Sequence, residues 1–336
     1  MIRLAALLLL LCAGGAAAAQ VAAGEPDVRA VLARDLRFST TDLADLDRGR
    51  TVKHGLPAAP GEIAVVGAVR IGAPMDAFFA RVRDIAKFKS GPEVLQIGRF
   101  SSPPVAGDLA VLTVDKDDFD VRACRVGDCG VRLPAAAIER IARELDVRAP
   151  DAQERGTALF KQVLLEKVVA YTAGTLDPMT EYDDGSPAIR PREEFEAVLG
   201  RMPEIQALVP GLPEHLRRFP ASPVAGAEDF IYWSKEKFGL EPFISVTHVT
   251  IACPSPATCV MTTRDVYSSR YIDASVAVAI AHSVGPNAFD LVYDNRSRAN
   301  ALKGAFGSLR RSLAERRARR GLEESLLAIK KQLEKS

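Results

Sequence analysis

Four histidines punctuate the chain, His54, His215, His248 and His282, and no two stand at a spacing that suits a metal ion. His248 is the one set in a telling context, inside the strand-like run FISVTHVTIA. Alternation puts it on one face with Ile244, Val246 and Thr250. An imidazole so placed could poise a proton near neutral pH or hydrogen-bond a ligand; its commoner role is that of a satisfied core or sheet-edge partner. A polar and aromatic group surrounds it in sequence: Tyr232-Trp233-Ser234-Lys235, Arg264, Tyr267, Arg270 and Tyr271. Trp233 is the only tryptophan, and amphipathic rings suit pocket rims, although cross-strand packing of rings with cationic stems is the ordinary use. The candidate ligand-binding set is therefore Trp233, His248, Arg264, Tyr267 and Tyr271. No residue is assigned a catalytic role and no metal or cofactor is assigned, because the chain lacks a nucleotide loop, a zinc signature and a G-x-S-x-G elbow. The acidic run from Asp115 to Asp120 lacks the glycine and closing glutamate of a calcium loop and reads as a solvated turn.

Composition narrows the field further. A chain of 336 residues with 48% hydrophobic and 26% charged side chains is that of a folded globular protein, not a disordered or multi-span one. With 44 Lys/Arg against 43 Asp/Glu, the net charge of +1 gives no global pull toward nucleic acid, which is excluded as a partner.

The N-terminus reads as an export signal covering residues 1–19. Arg3 precedes an apolar run from Leu4 to Cys12, and Ala17-Ala18-Ala19 fits a signal-peptidase site with Gln20 as the mature start. The expected location is periplasmic or secreted. Export makes the remaining cysteines candidates for disulfides: Cys124 and Cys129 in CRVGDC, Cys253 and Cys259 in CPSPATC. The short spacings favour two local bridges, with a crossed pairing still open. Zinc is disfavoured because the spacings exceed the two-residue knuckle.

The elements that must hold these residues follow from periodicity. Residues 20–61 read as an N-terminal arm. A Val/Ile-rich strand at Glu62–Ile71 precedes a helix whose Met75, Phe78, Phe79, Val82 and Ile85 share a face. Strands are expected at Glu93–Phe100, Asp108–Asp115 and Asp118–Val126. A helical insertion spans 134–226, its longest helix (152–176) carrying the stripe Leu159, Phe160, Val163, Leu164, Val168 and Tyr171. Strand signals return from Asp229 and are strongest at Phe243–Ala252, Val260–Tyr267, Tyr271–His282 and Phe289–Tyr293. A long helix begins near Ser297, breaks at Gly321 and continues as an extension over 319–336.

The segments EIAVVGAVRIGAPMDAFFARVRDIAKF and LVYDNRSRANALKGAFGSLRRSL resemble the opening strand–helix and closing strand–helix of the START-like (SRPBCC) helix-grip superfamily. The resemblance covers residues 62–318 and implies an α+β fold: a curved antiparallel sheet wrapped around a long C-terminal helix, here with the helical insertion. It implies an apolar cavity between sheet and helix, and hence an exported binding or carrier protein for an apolar small molecule or lipid. The alternatives on the same scaffold are a cyclase/hydratase-type enzyme, which would need His248 paired with Asp265 or Arg264, and a non-catalytic envelope interaction module. A last feature is the charge of the tail. From Arg296 onward the chain has 12 Lys/Arg and 4 Asp/Glu, a cluster that can meet an anionic membrane surface, pair with the acidic remainder of the chain or form a solvated face.

Overall fold

The computed structural model describes residues 26–175, 181–185, 187–237, 241–304 and 307–335. The expected export signal and its cleavage site lie outside the described residues. Helices α1 (Val28–Arg34) and α2 (Thr40–Asp47) precede strands β1 (Val52–Gly55) and β2 (Glu62–Ile71). Then come α3 (Met75–Arg83), α4 (Ile85–Phe88) and β3 (Val94–Arg99). The insertion holds α5 (Ala135–Glu144), α6 (Ala152–Ala173), α7 (Pro191–Leu199), α8 (Pro203–Leu208) and α9 (Leu212–Arg218). Strands β4 (Glu228–Glu236), β5 (Phe243–Ser255), β6 (Thr258–Ser268), β7 (Ala274–Gly285) and β8 (Ala288–Arg298) follow, and α10 (Gly307–Leu333) closes the described chain.

The strands form one eight-stranded sheet in the order β1-β2-β8-β7-β6-β5-β4-β3, every neighbouring pair antiparallel. Hydrophobic residues line both faces, so both must be covered by helices. On the first face, Val66, Ala68, Val276, Val278, Ile280 and Val292 meet α1, α7, α8 and α9. Farther along this face, Ile231, Trp233, Ile244 and Val246 meet α5, α6 and the loops between β3 and α5. On the opposite face, Val65, Val69, Met261, Phe289 and Leu291 meet Phe78, Phe79 and Val82 of α3 and Leu322, Leu326 and Leu333 of α10.

Several expectations give way here. The segment expected to be an arm is built into the fold: Val28, Val31, Leu32, Leu36, Phe38 and Leu46 are buried, and β1 pairs with β2. The two strands expected between 108 and 126 are a 3₁₀ turn at Ala106–Leu109 and tight turns. The acidic side chains there compete for the backbone: Asp118 accepts from the Asp115 amide at 2.8 Å and Asp115 from the Asp117 amide at 3.0 Å. Strand β8 runs on to Arg298, because Ser297 and Arg298 still pair with β2 and β7, so the final helix starts after Ser297. That helix passes through Gly321 unbroken, and Leu322 and Leu326, on the turns directly after it, are anchored to the sheet.

The relation between α10 and the sheet also differs from a hollow grip where the two touch. A Cβ placed on Gly67 of β2 would lie 3.0 Å from Leu326 and 3.1 Å from Leu322. Glycine is needed there for the helix to approach, and the leucines fill the space directly. Both cysteine pairs are local, Cys124–Cys129 and Cys253–Cys259, with S–S distances of 2.06 and 2.03 Å. The second clamps the β5–β6 hairpin.

Candidate functional site

Where the two helical covers of the first face meet, they leave a seam. Tyr171 near the end of α6 belongs to one apolar core and Phe195 of α7 to the other. Between them opens a cleft of about 300 Å³, walled by Tyr171, Phe195 and Phe219 and floored by Arg264 of β6. Arg192, Arg217 and Arg218 stand at its exposed mouth with Glu196.

Local sequence explains the walls. Helix α6 stops at Gly174, whose φ of +62° is the left-handed cap that glycine tolerates. A Cβ on Gly174 would also press to 3.0 Å from Pro220, so α6 can end beside the turn that carries Phe219 only because this position lacks a side chain. In α9, Leu212, His215 and Leu216 are spaced i, i+3, i+4 and buried, which turns Arg217 and Arg218 outward.

Arg264 is buried at 5% exposure. One guanidinium nitrogen donates to the Leu216 carbonyl. Its plane lies 3.8 Å from the Phe195 ring centre and 5.5 Å from that of Tyr171. Among the described residues its Nε has no hydrogen-bond partner and no carboxylate is within ion-pair distance of it. A buried cation is normally matched by an anion, because desolvating it alone costs several kcal/mol. Ring faces offset only part of that cost.

Behind Phe219 lies a second, denser polar group. Register sets Arg264 of β6 directly across from His248 of β5, and Thr250 across from Asp229 of β4. His248 is fully buried, with its ring centre 4.2 Å from that of Phe219. Its Nδ1 meets the Tyr171 hydroxyl at 2.9 Å and its Nε2 meets Asp229 Oδ1 at 2.9 Å. The same Oδ1 meets His215 Nε2 at 3.0 Å and accepts from Thr250 Oγ1 at 2.7 Å. His215 Nδ1 donates to the Ser222 carbonyl at 2.9 Å.

These contacts fix protonation. Burial pushes the Asp229 carboxyl up, but donation from His215 and His248 outweighs it and holds the group well below the usual carboxylate range. The bond to Asp229 raises the His215 pKa against an opposing burial effect, and with both nitrogens facing acceptors the imidazolium is the favoured form. Burial lowers the His248 pKa, and the nearby Arg264 and His215 charges push the same way against Asp229. His248 is then neutral, donating from Nε2 and accepting the Tyr171 hydroxyl proton.

Of the five residues singled out in sequence, His248 and Arg264 come together here. The others sit elsewhere. Trp233 is fully buried, donates to the Asp108 carbonyl at 2.8 Å and packs against Gly98. Tyr267 is buried and donates to the Arg132 carbonyl at 3.0 Å. Tyr271, at φ +62°, stacks edge-on with Phe243 at the far end of the sheet. Asp265, the other partner considered for His248, points to the opposite face, where Thr247 donates to it at 3.2 Å. Sequence reasoning missed Asp229, His215, Phe195 and Phe219 as site residues. His215 and His248 lie on elements far apart in sequence, and no spacing rule links them. A scan against protein-family models finds no match to this chain, and a search of curated proteins finds none either.

Proposed function

We propose that this is an exported ligand-binding protein of the helix-grip kind, and that its ligand is a small amphiphile with an anionic head and an apolar body. The eight-stranded antiparallel sheet crossed by a long terminal helix supports the kinship. The single observation that carries the ligand is Arg264: a desolvated guanidinium, unmatched by a carboxylate among the described residues, at the floor of a cleft walled by three aromatic rings. A carboxylate, sulfonate or phosphate fits the fork of a guanidinium in two parallel hydrogen bonds. The rings of Phe195, Phe219 and Tyr171 would shelter the apolar portion. A volume near 300 Å³ stands at the lower bound for small-molecule sites, which suits a short acyl chain or a single aromatic ring. On this reading the cargo lies under the helical insertion; beneath α10, leucines occupy the contact with β2.

The test compares matched probes by thermal shift: octanoate against octanol, and benzoate against benzyl alcohol. The acids raise the melting temperature of the wild type and the alcohols do not. Arg264→Met, which keeps the volume, abolishes the effect. Equal responses to acid and alcohol, or an unchanged response in Arg264→Met, would overturn the assignment.

One further observation supports a membrane role for α10. Leu309 and Leu313, one turn apart, are 59% and 49% exposed, beside the exposed Arg310, Arg316, Arg317 and Arg320. Such a stripe can lie on an anionic lipid surface, each cation contributing about 1 kcal/mol there. Such a foot would hold the protein at the membrane from which an amphiphile is taken, with the cleft on the face of the sheet opposite α10. Arg316→Gln/Arg317→Gln/Arg320→Gln should lower binding to phosphatidylglycerol vesicles by about 100-fold. Unchanged binding of the triple variant rules the foot out.

A further inference from the structure

The group behind Phe219 can do something other than staple the fold. We propose that His215, Asp229 and His248 form a binding site for a divalent transition ion of the zinc class. The three offer Nε2, a carboxylate oxygen and Nε2, all within 4.8 Å of one another. Neutral imidazole and carboxylate are the ordinary oxygen and nitrogen ligands of such ions, and three protein ligands leave a coordination position open.

The orientation of the rings matters more than their closeness. Both imidazoles turn the same atom, Nε2, toward Asp229 Oδ1, and both anchor Nδ1 on an oxygen of the surrounding protein. For His215 that oxygen is the Ser222 carbonyl, and for His248 the Tyr171 hydroxyl, each at 2.9 Å. Ligating histidines are held in this way, with the outer nitrogen bonded so that the inner one presents its lone pair. The Thr250 hydroxyl fixes the carboxylate in turn, at 2.7 Å. The three ligands come from α9, β4 and β5, and the two strands are neighbours in the sheet.

The fit in size is close. Ligand bonds of about 2.0–2.1 Å around a tetrahedral ion put neighbouring ligand atoms about 3.3 Å apart. The two Nε2–Oδ1 separations are 3.0 and 2.9 Å, so these pairs need to open by about 0.3–0.4 Å, and the third pair, the two imidazole nitrogens, lies within 4.8 Å. Access is available through Asp229, whose side chain is 24% exposed while the two rings are sealed. On binding, His215 releases its Nε2 proton to solvent. The Nε2 proton of His248 is exchanged for one on Nδ1, and the Tyr171 hydroxyl changes from donor to acceptor. The ion and three ligands then carry +1 beside Arg264, a charge that a bound anion or hydroxide in the open position would offset.

The experiment uses tag-free mature protein stripped with chelator, and Zn²⁺ and Co²⁺ as the probes. Calorimetry should give one Zn²⁺ per chain, and Co²⁺ should give the intense visible bands of a four-coordinate site. X-ray absorption of the zinc-loaded protein should show a shell of nitrogen and oxygen with two imidazoles. His215→Gln and Asp229→Asn should each weaken Zn²⁺ by about 100-fold, and Tyr171→Phe by about 10-fold. Arg264→Met should still bind the ion, which separates this site from the anion site of the cleft. Wild-type protein that binds no ion stoichiometrically, variants that bind as the wild type does, or an absorption shell without two imidazoles would each overturn the assignment. Should a variant not fold, the stoichiometry and absorption shell of the wild type decide alone.

Discussion

The sheet is covered on its two faces by contacts of opposite character. Where α10 meets β2, the groups are Leu322, Leu326, Val65 and Val69, pressed together over a glycine. Where α7 and α9 meet β5 and β6, the strands present His248, Thr250, Thr262 and Arg264, all buried. The first contact gains free energy simply from the apolar area removed from water, whatever its detailed shape. The second must match each polar group with a partner, and it does so unevenly. Asp229 has three donors, whereas Arg264 Nε and Thr262 Oγ1 have no hydrogen-bond partner among the described residues. A fold that could have used aliphatic residues at these positions keeps costly ones. That difference separates the part of the molecule that makes it stable from the part proposed to bind a ligand.

Mutations should fall on either side of that division. Leu326→Ala empties a fully buried site between helix and sheet and should cost about 3 kcal/mol in denaturant unfolding, with the thermal-shift response to octanoate unchanged. A smaller effect belongs to Asp265 on the α10 face. Burial pushes its carboxyl up to about 7, against Lys89 and Thr247, which act the other way. The folded state therefore holds a proton that the unfolded state has lost by pH 4–7, and stability falls as pH rises through that window. Asp265→Asn should remove this slope and raise stability at pH 8 by about 2 kcal/mol, measured by urea unfolding from pH 4 to 8. Gly67→Ala inserts a methyl at 3.0 Å from Leu326 and should cost about 1–2 kcal/mol in the same assay. The smallest change in stability is expected at Arg264→Met, within about 1 kcal/mol of wild type or above it, because an apolar replacement removes a poorly matched charge. A loss of 3 kcal/mol or more there would make Arg264 a structural group and erase the contrast between the two contacts.

The same contrast explains what could be read from the sequence. The apolar contacts were legible because they repeat: Glu62–Ile71 is a strand over the very span expected, and the stripe of α6 is buried at Phe160, Leu164, Val168 and Tyr171. Both local disulfides and the helical character of the insertion were legible for similar reasons of spacing. The stretch from 108 to 126 misled because Val and Leu there alternate with aspartates whose side chains close turns instead. Of the polar site, His248 and Arg264 could be found because each is a polar side chain set in a strand-like run, and in the fold those strands pair with each other. Asp229 and His215 could not, since they reach His248 only through the β4–β5 register and the docking of α9. Periodicity records which face of an element is buried; it carries no record of which distant polar groups will meet.

Native mass spectrometry of the protein isolated without denaturation is the most direct test of the cleft. It should reveal an anionic small molecule retained by the wild type and absent from Arg264→Met at equal folding. Spectra in which both proteins fly bare, or both retain the same molecule, would contradict a ligand held by that buried guanidinium.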